Sequence, residues 1–464
     1  NVDWVSITDN AGGHPTLRPM TLGEKFLNSE KEVIIHLTCK DMNRNALESN
    51  AWSLSSQGFN NILALTGDYP QNGYNGNSKP VFDFDSVSLL NMLSKLNEGL
   101  TTGIKKKTTL KSTDFFLGAT VSNNKKNENE LIPQYLKLKE KIKNGAEFII
   151  PQVGFDSGKI QELKLFMHDN GFDHIPLVGN IYLLSKFTSN LFHKNKIPGI
   201  VLTDELYNKC QHAATSDDKG KSFFIEFAAK MLNIFKKLGY KGAYFGGIHN
   251  YDNFNRIIEV EKSFSENDNL DFIKELWFPK KNEYFIYKKD ISTCLLQKEK
   301  NLKAKNKLSF KSKINYSVSK GFHSLMFKPG AIGYKIGKTI SNQDKYKYHL
   351  PSWIHIIEKR SKQVIYDCKD CGDCALQYTG YLCPESQCPK GLRNGPCGGT
   401  HDSICEVRDS ECIWSRAYNR LKRDKKENNL LDHTPAFKDN SLVDTSAWAN
   451  YWLEKDFGSK LNKK

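Results

Sequence analysis

The sequence predicts an α/β protein whose main part is a (β/α)8 TIM barrel, followed by a small cysteine-rich domain. Over residues 1–290, short apolar runs alternate with amphipathic stretches, which is typical of parallel βαβ units. Seven strands fit within about 250 residues, the usual length of such a barrel. A doubly wound open sheet is the alternative. No Gly-x-Gly-x-x-Gly follows the first strand, which weakens a dinucleotide-binding version of that sheet.

The predicted strands are apolar runs that end in polar residues or glycine. They comprise residues 2–8, 33–38, 62–66, 115–121, 148–152, 174–177 and 242–246. The chain begins at Asn1 rather than Met, already within a strand-like pattern. We therefore expect that the chain has lost its original N-terminus and, with it, the first strand of the barrel.

The predicted helices carry apolar residues at helical spacing. They comprise residues 42–57, 84–97, 134–144, 160–170, 185–192, 221–238 and 252–258. Gly145 and Gly239 directly follow two of these stretches, as glycine often does at the end of a helix. The regular alternation of these helices with the strands favours the barrel.

Composition and charge limit the classes of function. The 464 residues include 67 Lys and Arg against 52 Asp and Glu, a net charge of +15. The dense lysine run at 297–313 has few large apolar residues, which favours a solvated linker over a nucleic-acid patch. No apolar run approaches the roughly 20 residues of a membrane helix, and no signal peptide opens the chain. We expect a cytoplasmic protein that binds neither nucleic acid nor membrane.

The composition also divides the chain into four segments. We expect the barrel at 1–290 and a lysine-rich connector at 291–350, with one short helix near 322–334. A cysteine-rich metal-binding domain at 351–418 and a polar tail at 419–464 follow. Trp448 and Trp452 in that tail predict a helix that docks on the rest of the protein.

Polar residues stand at the ends of several predicted strands, and in a barrel these ends meet at one mouth. Asp68 directly follows Gly67, so it is either a functional carboxylate or a turn residue that caps the next helix. His36 alone would more often be a core histidine, but its neighbours at other strand ends favour a site. Gln152, in an apolar run, needs a hydrogen-bond partner. Further strand ends carry Thr8-Asp9-Asn10, Thr120 and His249.

Four long motifs resemble the methylenetetrahydrofolate reductase family. They read DWVSITDNAGG, VIIHLTCKDMNRNALES, QGFNNILALTGDYP and LKLKEKIKNGAEFIIPQVGFD, and they occur in the family's order between residues 1 and 258. The resemblance implies a (β/α)8 barrel that holds FAD at the carboxyl ends of its strands. It also implies reduction of 5,10-methylenetetrahydrofolate to 5-methyltetrahydrofolate in one-carbon and methionine metabolism, with NAD(P)H as reductant and a homo-oligomeric assembly.

The resemblance also assigns residues to the flavin and to the folate. Asp68 would lie near the flavin pyrimidine and Gln152 would hydrogen-bond the folate pterin, and these two are the predicted catalytic residues. Thr66 stands where some members have arginine. The predicted cofactor-binding residues are Thr8, Ala11, His36, Thr38, Leu65, Thr66, Gly67, Asp68, Gly118, Thr120 and Lys141.

The proton donor is missing from this assignment. The family uses a glutamate on the first barrel strand, and the matching position would precede Asn1. No residue of this sequence receives that role, so we expect these residues alone to form a poor reductase. Comparable turnover by this chain and a full-length parent would refute that expectation.

The cysteine-rich segment predicts metal binding, because eight of the eleven cysteines fall within it. Their spacing suits either tetrahedral zinc or an iron–sulfur cluster, in two four-ligand sites or with His401 replacing one thiolate. The segment also resembles the cysteine-rich C-terminal domain of some of these reductases, which allows an electron-transfer partner protein. The predicted ligands are Cys368, Cys371, Cys374, Cys383, Cys388, Cys397, Cys405 and Cys412.

Two other functions compete with a flavin-dependent reductase. The first is an electron-relay or scaffold protein on the same barrel, with the metal module as its working part. The second is a nucleic-acid-binding protein that uses the cysteine module as zinc fingers. This last reading lacks base-reading helices with interleaved arginine and aromatic residues around the cysteines.

Overall fold

A computed structural model of the protein describes residues 2–102, 107–248, 250–265, 268–305, 308–341 and 352–461. His249 and residues 342–350 of the predicted connector lie outside this described part. The central feature is a set of parallel strands with helices around them. The strands are β1 (Trp4–Ile7), β2 (Glu32–Thr38), β3 (Asn61–Leu65), β4 (Phe116–Val121), β5 (Phe148–Pro151), β6 (Val178–Tyr182) and β7 (Gly242–Gly246).

The strands follow one another in chain order around a curled sheet. Strands β1 to β5 form one parallel sheet, and β6 pairs with β7 in parallel. A parallel bridge between Ile149 and Leu177 joins the two groups. The sheet curls far enough that Trp4 of β1 stacks on Tyr244 of β7, with ring centroids 6.2 Å apart. The curled parallel sheet confirms the predicted TIM-like barrel class.

Side chains of each strand alternate between the barrel interior and the surrounding helices. The interior holds a small apolar cluster that includes Ile34, Leu63, Phe148 and Ile150. Residues of the opposite parity, such as Ile35 and Ile62, belong to the larger core under the helices. The interior cluster fills the lower barrel, so polar residues near the carboxyl ends of the strands face a mouth.

Helices connect the successive strands of the barrel region, and three of them lie between β6 and β7. The helices of this region are α1 (Pro19–Leu27), α2 (Arg44–Ser56), α3 (Ser86–Glu98), α4 (Glu128–Lys143), α5 (Ser157–Asp169), α6 (Lys186–His193), α7 (Asp204–Ala213), α8 (Lys221–Lys237), α9 (Tyr251–Ser263) and α10 (Asn269–Glu275). Side-chain caps fix several starts. Asp85, for example, accepts from the backbone N–H groups of Val87 and Ser88. A helix that directly follows a strand starts at the same end of the barrel as the mouth.

Two sequence predictions about this region were wrong. The sixth strand lies at Val178–Tyr182, not at 174–177. Pro176 has no N–H for a ladder, and pairing with β7 starts only at Val178. Residues 291–341 are also more than a connector with one short helix. They contain β9 (Leu296–Lys300), which pairs with β8 (Tyr287–Lys289), and two helices, α11 (Phe310–Met326) and α12 (Ile332–Ser341).

The C-terminal part packs directly on the barrel. Its helices are α13 (Ser352–Tyr366), α14 (Pro384–Gln387), α15 (Ile413–Arg423), α16 (Ala447–Trp452) and α17 (Phe457–Leu461). Trp414 and Tyr418 of α15 are fully buried in a core that reaches Ile132 and Leu136 of α4. Trp452 is buried, and its indole N–H donates to the Met326 carbonyl. The predicted docking helix is thus confirmed.

Among the helices that the structure describes, none combines the length and the apolar character needed to cross a membrane.

Candidate functional site

The loop after β3 is tied to the loop after β1 at the barrel mouth. The Asp68 carboxylate accepts a hydrogen bond from the Gly12 N–H at 2.8 Å, and Gln71 donates its N–H to the Gly13 carbonyl at 2.9 Å. Gly67 has φ of 91°, which favours glycine, and a Cβ there would lie 3.1 Å from the Thr38 and Lys40 Cβ atoms. The chain therefore holds a half-buried carboxylate on a closely packed, glycine-dependent loop.

Asp9 adds a second carboxylate beside this loop. Its Oδ2 accepts from the N–H and the hydroxyl of Thr38, at 3.2 and 2.6 Å, and Arg18 lies 3.6 Å from Oδ1. Asp9 is buried, and its Oδ1 has no hydrogen-bond partner among the described residues. Thr8 and Ala11 are exposed on either side of it. A buried oxygen with only an ion pair at 3.6 Å and no hydrogen bond can accept one from a ligand group. Asp9, which the strand-end pattern had placed at the mouth, therefore joins the candidate site.

His36 lies inside the barrel in a polar cluster. Its Nε2 and the Ser6 hydroxyl are 2.7 Å apart, and Tyr244 shares the Ser6 hydroxyl. Burial lowers the pKa of His36 to about 4 and raises the pKa of Tyr244. The imidazole and the phenol are both neutral near pH 7, so this cluster can orient a ligand through hydrogen bonds without adding charge.

Gln152 directly follows β5 at the same end of the barrel. Its side-chain oxygen accepts from the Val153 N–H at 2.9 Å, and its amide nitrogen would lie 3.0 Å from a Cβ at Gly199. Asn180 of β6 is buried nearby in the sheet and donates to the Pro151 carbonyl at 2.9 Å. The Asn180 Oδ1 has no partner among the described residues. Gln152 and Asn180 therefore offer amide groups at adjacent strands.

Three other predicted cofactor-binding residues make contacts within the protein itself. Thr66 is buried and its hydroxyl accepts from the Ser86 N–H at 3.3 Å. Gly118 makes room for the Phe148 ring, since a Cβ there would lie 2.2 Å from a ring carbon. Lys141 is buried and donates to the Thr120 carbonyl at 2.6 Å. Burial, and next the Lys137 charge, lower the pKa of Lys141 to about 7.

The structure thus brings part of the predicted set together. Asp68, Gly67, Thr38 and His36 lie at or just below one mouth, with Thr120 and Leu65 half-buried at the ends of β4 and β3. The contacts of Thr66, Gly118 and Lys141 within the protein account for the presence of these residues without a ligand. Their roles toward a flavin stay predictions.

The eight clustered cysteines fall into two groups of four. In the first group, Cys368, Cys371, Cys374 and Cys383 line one small cavity. In the second, electrostatic interactions connect Cys397 with Cys388, Cys388 with Cys405, and Cys412 with both Cys388 and Cys397. Burial raises the pKa of the Cys368 thiol to about 12 and that of the Cys397 thiol to about 11. All eight are free thiols, so the arrangement leaves two tetrads of sulfur donors.

Metal geometry itself is not formed by these thiols. Among the described residues, no group of three or more His, Cys, Asp or Glu side chains is placed to hold a metal ion. The donor set nevertheless matches what zinc or an iron–sulfur cluster requires, namely four thiolates per site. Arg393 near Cys371 and Lys390 near Cys397 supply positive charge that favours thiolates. The predicted metal ligands stay a prediction.

The second cysteine group, called here the mouth group, sits against the barrel mouth. Lys390 donates to the Gly67 carbonyl at 2.9 Å and forms an ion pair with Glu406 at 2.6 Å. Glu406 in turn lies 3.5 Å from the Cys397 thiol. Lys125, buried after β4, donates to the carbonyls of Gly398 and Thr400, both at 2.5 Å. The cysteine domain therefore contacts the same loops that carry the predicted flavin residues.

A cleft of about 720 Å³ lies between the two parts beside Lys390. Several charged side chains on its walls form ion pairs with one another. Arg44 forms a two-pronged contact with Asp83 at 2.9 and 2.8 Å, and Arg393 pairs with Glu385 at 2.9 Å. The sequence gave no signal for this cleft, because its walls come from two segments that are distant in sequence, at 43–88 and 385–440.

Comparison with known proteins agrees with these observations. A family model described as methylenetetrahydrofolate reductase matches residues 1–261, and one described as methylene-tetrahydrofolate reductase C terminal matches residues 350–441. Methylenetetrahydrofolate reductase 2 of Schizosaccharomyces pombe is 22% identical over 210 residues, which is 43% of this chain and 30% of that protein. The chain thus spans less than a third of that relative.

A solved structure of an uncharacterized protein from Clostridium thermocellum, described as binding two copies of 5-methyl-5,6,7,8-tetrahydrofolic acid, is 13% identical to this chain. The match covers 56% of this chain and 82% of that chain, with a TM-score of 0.38. The family match over residues 1–261 covers more than half of the sequence. The chain therefore belongs to the methylenetetrahydrofolate reductase family.

Proposed function

We propose that the protein is a flavin-dependent methylenetetrahydrofolate reductase, which transfers a hydride and a proton to 5,10-methylenetetrahydrofolate and releases 5-methyltetrahydrofolate. The observation that carries the proposal is Asp68, fixed by the Gly12 N–H on the Gly67 loop at the barrel mouth of a chain in this family. The buried Oδ1 atoms of Asp9 and Asn180, which accept no hydrogen bond from any described residue, also fit a polar ligand between the strand ends.

A bound flavin would supply the hydride chemistry, with FAD as the proposed form. The backbone and side chains at Thr8, Ala11, Thr38, and residues 65–68 would hold it. The Asp68 charge would disfavour added negative charge on a neighbouring ligand ring and so favour hydride donation from it. Neutral His36 would add a hydrogen bond without charge.

Gln152 would bind the folate pterin. Its amide can donate and accept at once, which suits the paired donors and acceptors of a pterin edge. Gly199 approaches this amide, and the Gly398 carbonyl of the cysteine domain lies beside Gly199, so both segments would limit the room for the substrate. Folate is therefore the proposed substrate, bound between the barrel and the cysteine domain.

A second function for the cysteine domain is favoured by the contacts of the mouth group. We infer that each cysteine tetrad holds one metal centre, and that the mouth group passes electrons to the barrel. The Lys390 contacts with both Gly67 and Glu406 connect the two sites directly. The reductant would then be NAD(P)H or an electron-transfer protein.

Analysis of flavin, iron and zinc in protein purified without oxygen tests both proposals. We expect one flavin per chain and two metal centres, with iron–sulfur absorption if the centres carry electrons. Flavin without metal would reject the electron path but keep the reductase. Metal without flavin would reject the reductase and favour the electron-relay or scaffold function.

A further inference from the structure

A groove on the C-terminal part is strongly apolar, and the proposed function does not use it. It lies between α11, α13 and α16 and has a volume of about 820 Å³. We call it the helix groove. Its large apolar wall residues are Phe310, Ile314, Val318, Phe322, Ile357 and Ile365.

These wall residues are unusually exposed for their size. Each of the six is between 45% and 78% exposed to solvent, although all face one groove. A contiguous apolar surface of this kind on a soluble protein usually marks an interaction site. We therefore expect a binding partner to cover these side chains and remove them from water.

The shape of the groove selects a helix as the occupant. Phe310, Ile314, Val318 and Phe322 follow each other at four-residue spacing and form a stripe along α11. The groove also has an aromatic floor that includes Phe327, Trp448 and Tyr451. A concave groove with an aromatic floor suits the apolar face of an amphipathic helix better than a flat membrane surface.

The positive charge of the surrounding helices favours an acidic binding partner. Helices α11, α12 and α13 carry three, two and three Lys or Arg residues, against a single Glu358. Two copies of this surface would bring like charges together, which disfavours self-association through it. Among the described residues, ion pairs engage Lys320, Lys338, Lys359 and Lys362, and the excess stays positive.

We propose that the helix groove binds an acidic amphipathic helix of a partner protein. The groove ends at Cys374, Lys362 and Tyr366, which also line the cavity of the first cysteine group. A docked helix would therefore lie beside this group, a position suited to a partner that exchanges electrons with it. Only this redox role rests on the proposed function. The docking itself depends on neither flavin nor metal.

Fluorescence anisotropy of designed peptides tests the docking. The probe is a dye-labelled 18-residue amphipathic helix with leucine on one face and glutamate on the other. A matched peptide has lysine in place of glutamate. The groove variant is Ile314→Asp with Val318→Asp, and the control is Val364→Asp on α13, which is 88% exposed and does not line the groove. Binding to vesicles with anionic lipid tests a membrane as the occupant, and sedimentation of the protein alone tests self-association.

We expect the glutamate peptide to bind at least tenfold more tightly than the lysine peptide, and less tightly at high salt. The groove variant should lose at least tenfold in affinity, while Val364→Asp should bind as the parent does. Equal affinity of the two peptides, or of the groove variant and the control, would overturn the proposal. The proposal would also be overturned if no peptide binds and the protein instead binds vesicles or self-associates in a way that the groove variant abolishes.

Discussion

Lys125 should hold the cysteine domain on the barrel, and Lys125→Met tests this. Its buried ammonium donates to the carbonyls of Gly398 and Thr400, both buried and both at 2.5 Å. A hydrogen bond to a charged group contributes about 1.5–3 kcal/mol. Burial lowers the pKa of Lys125, which shows that the ammonium loses solvation and offsets part of this gain. We expect a net loss of about 3 kcal/mol in the free energy of unfolding.

Lys126→Met is the matched control. Lys126 is the next residue and also faces the cysteine domain, but its ion pair with Asp402 is longer, at 3.6 Å, and partly exposed. Such a pair contributes at most about 1 kcal/mol. Urea denaturation would measure both variants, and hydrogen exchange of the amides at 396–401 would show whether the contact loosens locally. Equal stability and equal exchange in the two variants would refute the docking role of Lys125.

Three further predictions concern the carboxylate, a histidine and the cysteines. Asp68→Asn should raise the midpoint potential of bound flavin by on the order of 30 mV, about 1.4 kcal/mol for two electrons, as measured by dye-linked reduction. Asp217→Asn, on an exposed loop, should leave the potential unchanged. Burial lowers the pKa of His433 from 6.5 to about 4, so the folded state binds fewer protons than the unfolded state. The free energy of unfolding should therefore be highest above pH 6.5, where His433 is neutral in both states. It should be about 2 kcal/mol lower at pH 5, where the unfolded state takes up a proton. His433→Phe should remove that part of the acid sensitivity in urea titrations, and an unchanged pH profile would contradict the assignment. Cys371→Ser and Cys397→Ser should each lower the metal content by one centre, whereas loss of both centres from either variant would contradict two independent tetrads.

The sequence predicted the barrel because its signals are local. Apolar runs and helical spacing mark each strand and helix, and the strands recur in the expected order. The sixth strand was misplaced because the short run 174–177 contains Ile175 and Leu177 and resembles a strand, while Pro176 prevents regular pairing there. The prediction for 291–350, a connector with one short helix near 322–334, missed most of α11 and α12, because scattered lysines obscure the apolar stripe of α11.

The sequence predicted only those residues of the candidate site that stand together in one local motif. Asp68 and Gly67 stand next to each other, and their position at a strand end follows from the local pattern. Lys125 and Lys390 were not predictable, because each bonds to a carbonyl 273 to 323 residues away in sequence. Such pairs depend on how the two parts pack. The cysteine spacing allowed two tetrads, but the membership of each came from the fold.

The most direct test of the central claim is a single-turnover reaction without oxygen. Protein from the complete coding sequence would be reduced until its flavin is colourless and then mixed with 5,10-methylenetetrahydrofolate. We expect the oxidised flavin spectrum to return as one equivalent of 5-methyltetrahydrofolate forms, and Gln152→Ala to slow this step. Flavin that binds but stays reduced in the presence of the folate, with no methyl product, would contradict the reductase function.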